Sequence, residues 1–181
     1  VMQITADALT TADVIEISAD GLTSGSIMRL TSDSSSTATR YLMQITNDNA
    51  SASGAIPLYL KQDSTGAEAM RIEGTGVNTM VQITSTDDGS ASAPDIVFRR
   101  DSASPAASDM LGVLVFQGDD DGGTSREYAR LQGRIGDPAA GGYDGQLDLR
   151  VSVGGAINQA CVTCKDSEVV INDGAVDINF R

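Results

Sequence analysis

Three groups of residues have the types and spacing to do chemistry. Asp119, Asp120 and Asp121 stand in a row between Gly118 and Gly122, and clustered carboxylate oxygens are what a hard cation such as Ca²⁺ takes. They are the one metal candidate. The EF-hand spacing is missing, however, and no Glu closes the loop at the right distance, so a solvated hairpin turn is the simpler reading. Cys161 and Cys164 form Cys-Val-Thr-Cys, the spacing of a redox pair or of half a zinc site. A four-Cys site needs a second pair, the chain has no His to stand in, and a redox motif belongs beside a βαβ pattern, which is absent. In an alternating strand the two thiols point to opposite faces. They read as structural thiols, at least one of them buried, with a disulfide left open. The third group is Asp7, Asp20, Asp33, Asp48, Asp63 and Asp101, each at the same place in a repeating unit. They form an acid ladder or, more simply, each caps its own turn.

Catalysis finds little support. Without His, neither a Ser-His-Asp nor a Cys-His arrangement is available within the chain. Paired carboxylates can cleave glycans, but that takes an acid-lined groove and aromatic side chains for sugar stacking. Only Tyr41, Tyr59, Tyr128, Tyr143, Phe98, Phe116 and Phe180 are on offer. Gly154-Gly155 is no phosphate loop, because no helix follows it. The expectation is a protein that is not an enzyme and uses no cofactor.

The elements that must position these residues are repetitive. Two aliphatic residues separated by one polar residue, then a polar turn, recur at least eight times in the first 109 residues. The copies begin at Met2, Ile15, Met28, Met43, Leu58, Met70, Val81 and Ile96, and their second apolar members are Ile4, Ile17, Leu30, Ile45, Leu60, Ile72, Ile83 and Phe98. Apolar residues at i and i+2 are strand periodicity. The residue between is usually Gln, Glu, Arg or Tyr, which suits a solvent face. Three residues after the second apolar position comes the repeated Asp; Thr75 takes its place in one unit, and Thr86 followed by Asp87 in another. Ala, Gly, Ser or Asn then completes a turn.

Unit length decides between architectures. The copies are 11 to 15 residues apart, whereas a single-chain β-solenoid needs about 18 residues to close one coil. Two arrangements remain: an antiparallel meander, or layers shared among three chains. Sharing explains the Met, Ile and Leu columns, because Met is flexible enough to fill an axis packed by symmetry. The expected trimer core is Met2, Ile4, Ile15, Ile17, Met28, Leu30, Met43, Ile45, Leu58, Leu60, Met70, Ile72, Val81 and Ile83.

Composition agrees. Of 181 residues 40% are hydrophobic but only 4% aromatic, with no Trp. At roughly 25 cal/mol per Å² of buried apolar surface, such small side chains leave a thin margin, so part of the core is expected from other chains. The net charge of −13 comes mostly from Asp, a turn residue. It argues against nucleic acid, whose phosphates need Lys and Arg. No run of about 20 apolar residues marks a membrane span. The chain opens on Val1 and stops just after Val176-Asp177-Ile178-Asn179-Phe180-Arg181, which looks like the inside of another repeat and reads as part of a longer polypeptide.

From about Ser85 the texture changes. Longer strand-like runs appear at Gly112–Gln117, Tyr128–Leu131, Gln146–Val151, Glu168–Ile171 and Val176–Ile178, separated by Gly118–Gly123, Asp137–Gly142 and Gly154-Gly155. Strands at this spacing with Gly-rich turns predict an antiparallel all-β region. Ser125 to Gln132, the one weakly helical stretch, is read as strand. The divisions are 1–84 as a repetitive β-shaft, 85–109 as a transition with the last shaft-like repeat, and 110–181 as an antiparallel β domain.

Residues 94–181 also resemble a segment of tail fibres of tailed bacteriophages. The resemblance rests on Pro94-Asp95-Ile96-Val97-Phe98-Arg99-Arg100, Ser104-Pro105-Ala106-Ala107-Ser108-Asp109-Met110-Leu111-Gly112 and Phe116-Gln117-Gly118-Asp119-Asp120-Asp121-Gly122. It continues in Glu127-Tyr128-Ala129-Arg130-Leu131, Gly145-Gln146-Leu147-Asp148-Leu149 and Ser167-Glu168-Val169-Val170-Ile171. It covers about half of the chain; residues 1–84 are similar to fibre shafts only in general style. The resemblance implies an elongated, intertwined homotrimeric fibre on a virion. Such a fibre acts outside the cell and holds or contributes a host-attachment surface. It implies as partners further copies of the chain, other virion proteins and a host-surface glycan or protein. A bacterial surface adhesin or extracellular filament is the alternative, and a glycan-degrading tailspike a more distant one.

Overall fold

In a computed structural model the chain divides into two units, residues 1–80 and 81–181. The structure describes residues 2–6, 11, 13–75, 79–90, 94–165 and 168–171.

In the first unit the described residues form neither helix nor strand. The repeats carry strand periodicity, but a strand exists only when its N–H and C=O groups meet a neighbour, and among the described residues no repeat pairs with another. The ordered features are local turns, such as Leu22 N donating to the Ala19 carbonyl at 3.1 Å and Ala52 N to the Asn49 carbonyl at 3.0 Å. All fourteen residues of the expected trimer core are exposed in the single chain, at 44% to 84% of their full accessibility.

The repeated Asp does not act as expected. Among the described residues, the carboxylates of Asp20, Asp33, Asp48, Asp63 and Asp101 accept no backbone N–H; beside the last four a neighbouring side chain does. Ser32 Oγ accepts from Ser34 N, Asn49 Oδ1 from Ser51 N, Gln62 Oε1 from Ser64 N and Ser102 Oγ from Ser104 N. Asp63 and Asp101 instead pair with Lys61 and Arg99, the basic residues just after their own strand-like pairs. The turn chemistry is present but shifted by one residue; Asp7 lies outside the described residues.

The second unit is all-β, with no helix among the described residues. Its strands are β1 (Met110–Asp119), β2 (Ser125–Asp137), β3 (Asp144–Val153), β4 (Ala156–Lys165) and β5 (Glu168–Ile171). They form one antiparallel sheet in the order β1-β2-β3-β4-β5, a meander in which each strand pairs with its sequence neighbour. The turn clusters read from the sequence are the hairpin loops. Gly154 and Gly155 both have positive φ, 58° and 78°, between paired Val153 and Ala156. A two-residue loop of this type demands such backbone and so selects Gly. Val176–Ile178 lies outside the described residues, and β4 is a strand that the periodicity missed.

Register sorts the side chains by face. One row runs Leu114–Leu131–Leu149–Val162–Ile171 across all five strands. The adjacent row, on the opposite face, runs Val113–Gln132–Asp148–Thr163–Val170. The burial is inverted relative to an ordinary half-buried sheet. Gln132, Asp148 and Thr163 are 3%, 0% and 0% exposed, while Leu114, Leu149 and Ile171 are exposed.

The last repeat touches this sheet. A Cβ added at Gly112 would lie 2.6 Å from Phe98 Cβ and 2.7 Å from its Cγ, so glycine lets Phe98 lie against β1. Nearby, Arg100 pairs with Asp109 at 3.2 Å. Gly112→Ala is therefore expected to lower stability by about 1–3 kcal/mol, the usual cost of overpacking. Adding Phe98→Ala should recover part of that loss, because the two residues share one contact. Urea midpoints of the two single variants and the double variant check this.

Candidate functional site

The most organised set of polar side chains centres on Asp148, in the middle of β3. Asp is disfavoured within strands, and a buried carboxylate persists only when paired and hydrogen-bonded. Both conditions are met here. Gln132 Nε2, one register position across on β2, donates to Asp148 Oδ2 at 2.8 Å, and Gln146 Nε2, two residues earlier on β3, donates to Oδ1 at 2.8 Å. Arg134 donates to Oδ2 from β2, and Arg150 adds a contact of 3.0 Å to the same oxygen. Alternation places Gln146, Asp148 and Arg150 on one face of β3, and Gln132 and Arg134 on the same face of β2.

The network extends along β2. Arg130 bridges Glu127 and Gln132, and Ser152 Oγ donates to the Glu127 carbonyl at 2.6 Å, tying β3 back to β2. Burial pushes the Asp148 carboxyl upward. The bonds from Gln146, Arg134, Gln132 and Arg150 outweigh it and hold the group well below the usual carboxylate range. With both oxygens already accepting, Asp148 is suited to locking strands together and has no free oxygen for taking a proton from a bound molecule. Two buried atoms in this region have no hydrogen-bond partner, Arg134 Nε and Thr163 Oγ1.

Asp119, Asp120 and Asp121 lie at the β1–β2 turn, and of their carboxylates that of Asp120 is engaged there. Its carboxylate accepts from Gly122 N at 3.0 Å, Thr124 N at 2.8 Å and Arg126 Nε at 2.9 Å. The Thr124 amide first, then Arg126, lowers its affinity for protons. These bonds make the turn an Asx-type staple. Among the described residues no group of three His, Cys, Asp or Glu side chains is placed to hold a metal ion.

Cys161 and Cys164 are both free thiols. Neither is fully buried: Cys161 is half-buried and Cys164 exposed. Cys164 pairs with Leu147 and Val169, on the apolar face, and Cys161 falls where the β3–β4 register shifts. The bulge there places an extra residue between paired positions.

Sequence reasoning missed the Asp148 cluster. The available signal was an Asp inside Leu147-Asp148-Leu149-Arg150, where alternation puts a lone acid on a face shared with Gln146 and Arg150. Among the described residues no helix is long and apolar enough to cross a membrane. Compared with protein-family models, curated proteins and solved structures, the chain matches none of them.

Proposed function

We propose that the chain is a structural segment of a homotrimeric virion fibre of the tail-fibre kind. Its repeats form a shaft and its five-stranded sheet a second β region, and together they present a host-attachment surface outside the cell. One observation carries this reading. All fourteen aliphatic members of the first seven repeats are exposed in the single chain, at 44% to 84% of their full accessibility. Apolar columns left open to water in this way support a component whose core is completed by other chains.

Three chains suit the unit length. Repeats 11 to 15 residues apart are too short to close a coil alone, and a closed cyclic assembly lets like seams meet on one axis. Closure also covers backbone edges that would otherwise recruit further chains without limit. The reading assigns no reaction and no cofactor to the chain.

Sedimentation equilibrium tests it. The expected mass is about three times the chain's 18.7 kDa, with a band of matching mobility in SDS without heating. A monodisperse single-chain species would overturn the proposal.

A further inference from the structure

The sheet of the second unit has one polar face, whose charges are paired, and one apolar face that is largely exposed. The Asp148 face holds its charges in the network with Gln132, Gln146, Arg134 and Arg150. The opposite face carries Leu114, Leu131, Leu147, Leu149, Val169 and Ile171 in register, and all but Leu131 are exposed. Phe98 of the same chain lies against its Gly112 edge, and the rest of the face needs a cover.

We infer that the cover is the same face of other copies, so that the Leu114–Leu131–Leu149 face turns inward to the assembly axis and the Asp148 face turns outward. This rests on the trimer reading and adds to it which surface of the sheet is the seam. Three observations favour a copy of this chain as the occupant. First, the face carries no charge in its central rows, so chains of net charge −13 meet there without bringing carboxylates together. Second, four strands of roughly ten residues and the four-residue β5, at about 4.8 Å between strands and about 3.3 Å per residue, give a face of roughly 700 Å². That approaches the roughly 800 Å² per partner of a stable pair. Third, sheets pack face to face at about 10 Å through interdigitated aliphatic side chains, and Leu, Val and Ile in neighbouring rows supply them.

Opposed orientations make different predictions for Cys164, which lies on the apolar face and is exposed in the single chain. Its protection therefore reports a neighbouring copy and not its own fold. The experiment treats the wild-type assembly with a maleimide and reads each thiol by mass spectrometry, with urea-unfolded chain as the reference and sedimentation run on the same sample. A second sample carries Glu168→Cys, which places a thiol on the Asp148 face, since Glu168 pairs with Lys165 beside the Thr163–Val170 pair.

The expected result is a trimer in which Cys164 reacts roughly a hundredfold more slowly than in the unfolded chain, while the thiol at position 168 reacts at nearly the unfolded rate. A trimer with reactive Cys164 would overturn the inference and leave the trimer reading standing; it would mean copies joined edge to edge or through the Asp148 face. A trimer that also shields position 168 would overturn the outward placement. A single-chain species would overturn the trimer reading itself.

Discussion

Replacing Met43 with Asp is expected to abolish assembly. Met43 opens the fourth repeat, is exposed in the single chain and belongs to the column of first members with Met2, Met28 and Met70. In the proposed trimer the substitution brings three carboxylates together at a shared axis, in a site that water does not reach. Burying an ion without a partner costs several kcal/mol per ion. Even about 3 kcal/mol per chain is roughly a hundredfold in an association constant, and three copies compound it. The control is Gln44→Asp, one residue on, which adds the same charge to the polar side of the same strand-like pair and should assemble as the parent does. Sedimentation of both variants at one protein concentration and salt decides the matter. Equal assembly of the two would place Met43 away from the seam. Met43→Leu keeps an apolar group of similar volume and should assemble, which separates loss of packing from introduction of charge.

The same column shows what was legible in the sequence and what was not. Alternation at Gln146–Val151 and the apolar, β-branched run at Glu168–Ile171 are local signals, and they marked β3 and β5 correctly. The Gly-rich clusters marked their hairpin turns because Gly154 and Gly155 need positive φ, a property of single residues. β4 was missed because Ala156-Ile157-Asn158-Gln159-Ala160 has little alternation; it is a strand because β3 offers it a ladder, which is a non-local cause. The repeats present the converse. Met28-Arg29-Leu30 has strand periodicity without a strand partner among the described residues, so local pattern and single-chain structure part company.

The repeated Asp was read as a cap from its residue type. Which of two adjacent oxygens takes the N–H depends on backbone angles that type does not specify, and Ser32 and Asn49 take it instead of Asp33 and Asp48. Asp148 was hidden for a related reason. Its importance comes from lying opposite Gln132 and Thr163, and a single sequence does not state register.

Asp148→Ala is expected to be the most destabilising single change in the sheet. It removes an acceptor that takes bonds from Gln132, Gln146, Arg134 and Arg150 at once. Arg134 and Arg150 are themselves only 20% and 22% exposed at the side chain. Removing one partner of a buried ion pair costs about 3–5 kcal/mol, because the remaining charge stays desolvated. A Gln132 amide that is 3% exposed loses its acceptor as well, at about 1–3 kcal/mol if nothing replaces it. These losses belong to one network and do not simply add. Asp148→Asn keeps the shape and one acceptor oxygen, so it should fall between the parent and Ala.

The pH dependence has a definite sign. The folded-state affinity of Asp148 for protons is lowered, so its contribution is fully present above the unfolded carboxylate value of about 3.9. It is lost only as pH falls through the still lower folded value. Between neutral pH and about pH 5, Asp148 should contribute no slope to stability. In stronger acid the parent should lose stability, and the gap between parent and Asp148→Ala should narrow. Urea midpoints at a series of pH values and fixed protein concentration measure this. A gap that stays constant to the lowest pH would mean that the carboxylate charge is not what holds β2 to β3. A third variant probes the same point from the other side. Asp148→Leu with Arg134→Met and Arg150→Met removes all three charges together, and apolar replacement of a buried ionic cluster is often neutral or stabilising. Recovery of most of the lost stability would show that the Ala variant fails through stranded cations, whereas continued instability would locate the loss in the Gln132 and Gln146 bonds.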